Sequence, residues 1–289
     1  MEVYIMKEII KNEVVRYASQ SRENWSVETK DHYFGEPLLQ CASADDLLFE
    51  EYKKILYPEH LTPKEAFELV FGQGSYSGGS VISIILPINE KIRKSNRLQT
   101  KQPSKEWALF NSFGSVFTRN LLKHTEDYLN QKGYRTVAPA LAEWFVMKSF
   151  GPNLLLGSNW SERHVAYAAG LGSVSLNEGF ISEKGIAVRL LSLVTELKLA
   201  PDSREGRHHM ANCLFFSKGT CGACIKRCPA GALSKDGHDK MKCRNFAYGE
   251  DMKKLVASYG GKPGSTAGCS LCQTNVPCEF RNPMGQQLV

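Results

Sequence analysis

Apolar positions recur at three- to four-residue spacing through much of the first 75 residues, the pattern of amphipathic helices. Residues 6–19 place Ile9, Ile10, Val14 and Tyr17 on one face, and residues 45–56 do the same with Leu48, Tyr52 and Ile55. Over 62–71 the signals agree more fully. Thr62 can cap, Pro63 suits the first helical position, and Glu65 completes a capping box before Gly72 and Gly74 stop the helix. The pattern then changes period. Val81–Pro87 is a short β-branched run between glycines and a proline, which predicts a buried strand.

A polar loop is expected over 91–105. A long helix is expected over 106–132, with Phe110, Phe113, Phe117, Leu121 and Tyr128 on one side and Gly133 as its stop. Residues 134–141 and 185–197 read as further strands. Strand, helix, strand predicts a right-handed βαβ crossover in a mainly parallel sheet. Between them Asn159 is placed to cap a helix, with Glu162 three residues on and Gly170 at its end. The expected fold is therefore α/β or α+β: an N-terminal helical segment (1–75), a βαβ-type domain (76–204) and a loop-rich module (205–289).

Composition adds little until the cysteines are located. Of nine, Cys41 stands alone, and eight fall between Cys213 and Cys278. Charge is equally uneven. Residues 1–204 hold 24 Lys+Arg against 24 Asp+Glu, whereas 205–289 hold 12 against 6, which is the whole net charge of +6. The longest apolar stretch, around 81–88, is too short for a bilayer span, and the N-terminus lacks the apolar core of a signal peptide, so a cytoplasmic protein without membrane association is expected. In that compartment clustered thiols point to metal ligation rather than disulfides.

The spacing refines this. Thr220–Leu233 reads TCGACIKRCPAGAL, a C-x2-C-x3-C-P run, and Cys243, Cys269, Cys272 and Cys278 follow. Iron–sulfur ferredoxins use C-x2-C-x2-C-x3-C-P, with the last cysteine crossing to the other cluster. The run here matches the last three of those cysteines; position 218, where the first would stand, is lysine, and Cys213 is its substitute. The count closes on two four-thiolate sites: Cys213, Cys221, Cys224 and Cys278 for one 4Fe-4S cluster, and Cys228, Cys243, Cys269 and Cys272 for the other. A zinc ribbon on the pairs 221/224 and 269/272 is the alternative, and it leaves four cysteines unused. A four-iron core of about +2 on four thiolates is anionic, so the basic residues around it can offset buried cluster charge as readily as they could meet nucleic acid.

The segment SNWSERHVAYAAGLG (158–172), followed by the two cysteine runs, resembles the superfamily of epoxyqueuosine reductases and corrinoid-dependent reductive dehalogenases. In that superfamily an A-G-L-G segment follows an E-R helix, as residues 169–172 follow Glu162 and Arg163 here, and the similarity runs over roughly residues 80–280. The closest resemblance is to a branch of shorter iron–sulfur proteins. The resemblance implies an N-terminal α/β domain that holds cobalamin and a proximal cluster that feeds it electrons. It implies Asn159, Trp160, Glu162, Arg163, Gly170, Leu171, Gly172 and Asn177 at the cofactor, with His164 and Tyr167 as candidate proton donors. Two positions depart from the family. The general-acid aspartate before the E-R pair falls at Leu156 or its neighbours, with no carboxylate between Met147 and Trp160, and the D-Y-H motif is replaced around Phe113–Phe117.

Two functions follow as expectations. The chain is an iron–sulfur oxidoreductase whose clusters reduce a bound corrinoid, or an electron-transfer protein that reduces a partner without holding cobalamin. Either takes electrons from a donor such as ferredoxin or flavodoxin and acts on a small molecule or a corrinoid protein, and tRNA is not expected as a partner. A third reading is a nucleic-acid-binding zinc protein.

Overall fold

The computed structural model describes residues 2–150, 155–204 and 208–285. Helix α1 (Glu2–Gln20) leads into a small hairpin, β1 (Trp25–Ser26) and β2 (Asp31–His32), then strand β3 (Leu38–Ser43) and helices α2 (Leu48–Ile55) and α3 (Pro63–Phe71). Strand β4 (Ser80–Pro87), helices α4 (Glu90–Arg97) and α5 (Lys105–Gln131) and the short β5 (Thr136–Val137) follow. A hairpin of β6 (Met147–Phe150) and β7 (Leu155–Ser158) precedes α6 (Glu162–Ala168), a second of β8 (Gly172–Val174) and β9 (Phe180–Ser182) follows it, and β10 (Val188–Thr195) closes the domain. The remainder holds α7 (Leu214–Lys218), α8 (Ala223–Arg227), the hairpin β11 (Leu233–Ser234) and β12 (Gly237–His238), α9 (Lys240–Tyr248) and α10 (Glu250–Ser258).

The central sheet has the order β3-β4-β10-β5. Strand β4 is buried on both faces because alternate residues enter different layers. Ile82, Ile84 and Leu86 pack with α1 and α5 through Ile10, Val14, Trp107, Phe110 and Phe117. Val81 and Ile85 pack on the other side with Phe49, Phe67, Trp160 and Val165 of the α2, α3 and α6 layer. That two-sided burial is why the run shows no polar alternation.

The expected parallel sheet is not what forms. Every hydrogen-bonded neighbour in it is antiparallel, and β10 pairs along all of β4, from Val188 opposite Pro87 to Thr195 opposite Ser80. Strands β4 and β5 do run the same way, since each is antiparallel to β10, but β10 lies between them. The crossover through α5 is therefore a split one, with its gap filled by a strand from far along the chain.

Other expectations shift for local reasons. The first 75 residues are not helical throughout, because Leu39 and Cys41 turn to one layer and Ala42 to the other, making β3 an edge strand on β4. The loop expected over 91–105 contains α4. The Asn89 side chain caps the Lys91 N–H, Lys94 pairs with Glu90, and Ile92 and Asn96 form a narrow buried face on a polar helix. The strand expected over 134–141 stops at Val137, because Pro139 opens a 3-10 turn. The capping box at Thr62 and Glu65 and the long helix α5 form as the sequence reads, with Ser104 as the cap of α5. Among the described residues no helix is long and apolar enough to cross a membrane.

The cysteine-bearing part is bound to this sheet by polar contacts from α4. Glu279, only 1% exposed, accepts from Arg93 Nη1 at 2.9 Å, from Arg97 Nε at 2.7 Å and from its own neighbour Asn275 N–H at 2.8 Å. The Glu279 carbonyl accepts the Ala187 N–H, and the Cys278 carbonyl accepts that of Ile186. Removing one partner of a buried ion pair leaves the other uncompensated and costs about 3 kcal/mol or more. Glu279→Gln is expected to lose roughly that much stability, read as a lower urea midpoint with an unchanged slope.

Candidate functional site

The eight clustered cysteines come from short helices and the turns between them. Cys213 is the residue before α7, Cys221 and Cys224 bracket the start of α8, Cys228 follows its end, and Cys243 lies on α9. Cys269 and Cys272 bracket a tight turn in which Ser270 takes a left-handed conformation, φ 49°. All nine cysteines are free thiols.

The thiols fall into two sets. Cys213, Cys221, Cys224 and Cys278 line one cavity of about 30 Å³, whose other walls include Leu176, Ile181, Ile186 and Val276. That is more room than the ~10–15 Å³ a single water needs, behind walls that offer water few partners. Burial pushes the Cys278 thiol up to about 12, helped by Cys224, Cys213 and Cys221, and pushes Cys224 up to about 11, helped by Cys213 and Cys221. In the second set burial pushes Cys269 up to about 12 and also raises Cys272; Cys228 and Cys243 act on both. Cys224 acts on Cys272 as well, so the two sets adjoin. Thiols held this far above their usual range ionise when a cation binds them.

Among the described residues no three His, Cys, Asp or Glu converge as one metal ion requires. The first four thiols border a space rather than meeting at a point, which suits an occupant larger than a single ion. Cys41 belongs to neither set. It is wholly buried in β3, and desolvation pushes its thiol up to about 12.

Neighbouring groups face the second set. The Ala232 N–H points at Cys228 Sγ at 3.3 Å. His238 is pushed up to about 9, first by the Cys243 sulfur and then by Glu178, 3.1 Å away. Asn177 donates to the Cys272 carbonyl at 2.8 Å, joining the loop after β8 to the cysteine turn.

Of the residues expected around a corrin, Asn177 thus lies at the cysteine turn, and the others lie at α6, just before it and in the turn after it. Asn159 does not cap α6; Ser161 occupies that position. Asn159 instead accepts the Val146 N–H and donates to the Trp144 carbonyl, pinning the β6–β7 hairpin. Trp160 is 1% exposed and donates through Nε1 to Ser192 Oγ at 2.9 Å, which makes it part of the core beneath β10. Arg163 is exposed and donates to the Glu178 carbonyl. Gly170 has φ 80° and a Cβ there would stand 2.5 Å from the Ser203 carbonyl oxygen, while one at Gly172 would meet that of Ile181. Leu171 is buried between them in the α2, α3 and α6 layer. Asn159, Trp160, Gly170, Leu171, Gly172 and Asn177 are thus each engaged in the chain's own packing.

The two candidate proton donors differ. His164 Nδ1 lies 2.7 Å from Ser161 Oγ, and the Tyr52 hydroxyl donates to the His164 carbonyl. Burial, then the charges of His60 and Arg163, push His164 down to about 3. Tyr167 lies beneath the Arg204 guanidinium, 5.9 Å from its ring centre. The cluster also holds a residue that the sequence reading missed. His60 is wholly buried, stacks on Trp160 at 6.4 Å, accepts the Ser161 N–H, and is pushed down to about 4 by burial. It sits in a loop with no motif, and its nearness to the Thr62 cap was the one available signal.

Glu162 completes the group. Both carboxylate oxygens are buried without a hydrogen-bond partner among the described residues. Desolvation pushes it up to about 8, against a small downward pull from the Ser192 hydroxyl. It therefore carries a proton at neutral pH.

No protein-family model matches the chain. An epoxyqueuosine reductase of Bacillus anthracis is 32% identical over 120 residues, 40% of this chain and 29% of the relative. In fold the chain is similar to the epoxyqueuosine reductase of Streptococcus thermophilus, with a TM-score of 0.53 at 19% identity over 96% of this chain and 68% of that one. It is also similar to that of Bacillus subtilis, in a structure with its catalytic aspartate loop swung out of the active site, with a TM-score of 0.52 at 19% identity over 94% and 66%. The chain spans about two thirds of these solved structures. The sequence likeness thus covers part of the chain, and the likeness in fold covers nearly all of it.

The raised Glu162 has a measurable consequence. Its folded form binds a proton that the unfolded form, titrating near 4.5, has already released, so its contribution to stability falls as pH rises from about 4.5 through about 8. His60 and His164 act in the opposite sense at lower pH, gaining stability up to their unfolded value of 6.5. The difference between wild type and Glu162→Gln isolates the carboxyl. The variant is expected to gain on wild type steadily between pH 5 and pH 8 in urea unfolding, and a flat difference would refute the assignment.

Proposed function

We propose that this chain is an iron–sulfur oxidoreductase that binds two 4Fe-4S clusters and passes electrons singly to an acceptor. The observation that carries the reading is the sorting of eight thiols into two adjoining sets of four, one around an apolar cavity. Cys213, Cys221, Cys224 and Cys278 would hold the first cluster, and Cys228, Cys243, Cys269 and Cys272 the second. When bound, such clusters supply one-electron transfer. The protein's part is to supply the thiolates, to exclude water through Leu176, Ile181, Ile186 and Val276, and to aim the Ala232 N–H at sulfur. The fold likeness to epoxyqueuosine reductases supports a reductase over a zinc ribbon, and so does the use of all eight cysteines.

The geometry favours an acceptor outside this chain. The residues expected to border a corrin are engaged within the fold, so we infer that a corrinoid, if it is the acceptor, is carried by a partner. The other reading, a corrin held by the chain itself, is supported by the fold likeness. Of the groups near α6, His164 is held neutral, whereas Glu162 retains a proton, so a proton source for the reaction is better supplied by Glu162 than by His164. No carboxylate stands at Leu156 or its neighbours, where the family's aspartate is expected, so reduction of epoxyqueuosine in tRNA is not part of the proposal. The electron donor would be a low-potential carrier such as ferredoxin or flavodoxin, and the basic module would meet its acidic surface.

Anaerobically reconstituted protein is expected to hold about eight irons with matching acid-labile sulfide. Cys221→Ser and Cys243→Ser should each disturb a different paramagnetic signal, and Cys41→Ser neither. Stoichiometric zinc without sulfide would overturn the reading. Added cobalamin is expected to keep its free spectrum; a stoichiometric spectral shift would return the corrin to this chain.

A further inference from the structure

We propose that Arg227 is the electrostatic partner of the second cluster and sets that cluster at a higher reduction potential than the first. The inference rests on the two clusters proposed above and goes further by ordering them.

The Arg227 guanidinium is held by backbone carbonyls alone. Nε donates to Leu271 at 3.2 Å and to Thr274 at 3.1 Å, Nη1 to Gln99 at 2.7 Å, and Nη2 to Asn96 at 3.3 Å. No carboxylate pairs with it among the described residues. Glu279, the carboxylate that acts on it, is already gripped by Arg93 and Arg97. A half-buried cation fixed by neutral acceptors keeps its full charge and needs an anion nearby to offset desolvation.

Those bonds fix where the charge sits. Leu271 lies between Cys269 and Cys272, and Arg227 itself precedes Cys228, so the guanidinium is bonded to the turn that carries two thiols of the second set and stands one residue before a third. Beside the first set, Arg93 and Arg97 are both paired with Glu279, the residue after Cys278. None of the residues lining that set's cavity is charged, and Lys218 and Lys226, close by in sequence, are exposed.

The consequence is electrostatic. Reducing a four-thiolate cluster adds one electron and takes its net charge from about −2 to about −3, with no bond made or broken. A fixed cation beside the second cluster favours the added charge, and apolar walls around the first disfavour it. An electron supplied from outside therefore rests on the second cluster, and the first is the stronger reductant.

The test is a redox titration of the reconstituted full chain with dithionite, followed by electron paramagnetic resonance. Two one-electron steps are expected. The signal altered by Cys243→Ser should appear at the higher potential and that altered by Cys221→Ser at the lower. Coincident midpoints or the reverse order overturn the inference, whereas a protein that takes up no iron overturns the proposed function instead. Arg227→Gln should lower the reduced-to-oxidised ratio of the second cluster about tenfold at fixed potential, a shift of about 59 mV for a one-electron couple, and leave the first unmoved. Arg227→Lys, which keeps the charge but loses the fork, should shift it much less. Equal shifts in both variants, or none in either, would show a merely structural role. Should Arg227→Gln shed its second cluster, the order of the wild-type midpoints decides.

Discussion

Among the described residues, a buried carboxylate, Glu279, is the one ionic link between the sheet and the first cysteine set. Glu279 stands one residue beyond the thiol that closes the first cysteine set, and it is gripped by two arginines projecting from α4. Because α4 leads through Ser104 into the long helix α5 on the sheet, the position of Cys278 is referred back to the core of the α/β domain. The Trp107 indole donates to the Gly268 carbonyl, and Asn96 bonds Thr274, so the second cysteine turn is anchored to the same pair of helices. The thiol geometry is thus inherited from a rigid scaffold rather than made by the cysteine loops themselves.

Around that joint, the chain divides its polar chemistry. The cysteine sets are edged by backbone N–H groups, one guanidinium and a histidine, all donors suited to sulfur and negative charge. The region near α6 holds the opposite kind of group: two histidines kept neutral and a carboxyl kept protonated by burial. Such neutral, desolvated groups hold protons or hydrogen bonds without adding field, whereas the donors near sulfur add field without exchanging protons. The thiols and the buried titratable groups near α6 therefore stand on different elements, with Asn177 and Glu178 on the loop between them.

Much of this was legible in the residues. The capping box at Thr62, the long α5 and the buried run of β4 follow from local rules, and the spacing of the cysteines anticipates that Cys213, Cys221, Cys224 and Cys278 border one cavity. The parallel sheet was misread because strand direction depends on where β10 inserts, and nothing local to Val188–Thr195 records its partner. Helix α4 was missed because its buried face is only Ile92 and Asn96, too narrow to show as periodicity. His60 and the orphan carboxyl of Glu162 escaped for a related reason. Burial of a polar side chain is a property of what packs over it, and their neighbours come from distant segments.

The inserted strand also bears on how the molecule is made. Roughly 100 residues separate the end of β4 from the start of β10, and a ribosome adding ~5–20 residues each second takes on the order of 5–20 s to cross that distance. During that interval β4 can pair with β3 along one edge, while the other, lined by Val81, Ile82, Ile84 and Ile85, has no partner. A nascent chain in that condition presents an apolar strand edge of the kind that invites pairing with another copy. The growing chain is thus exposed to this hazard before any cysteine of the two thiol sets has left the ribosome.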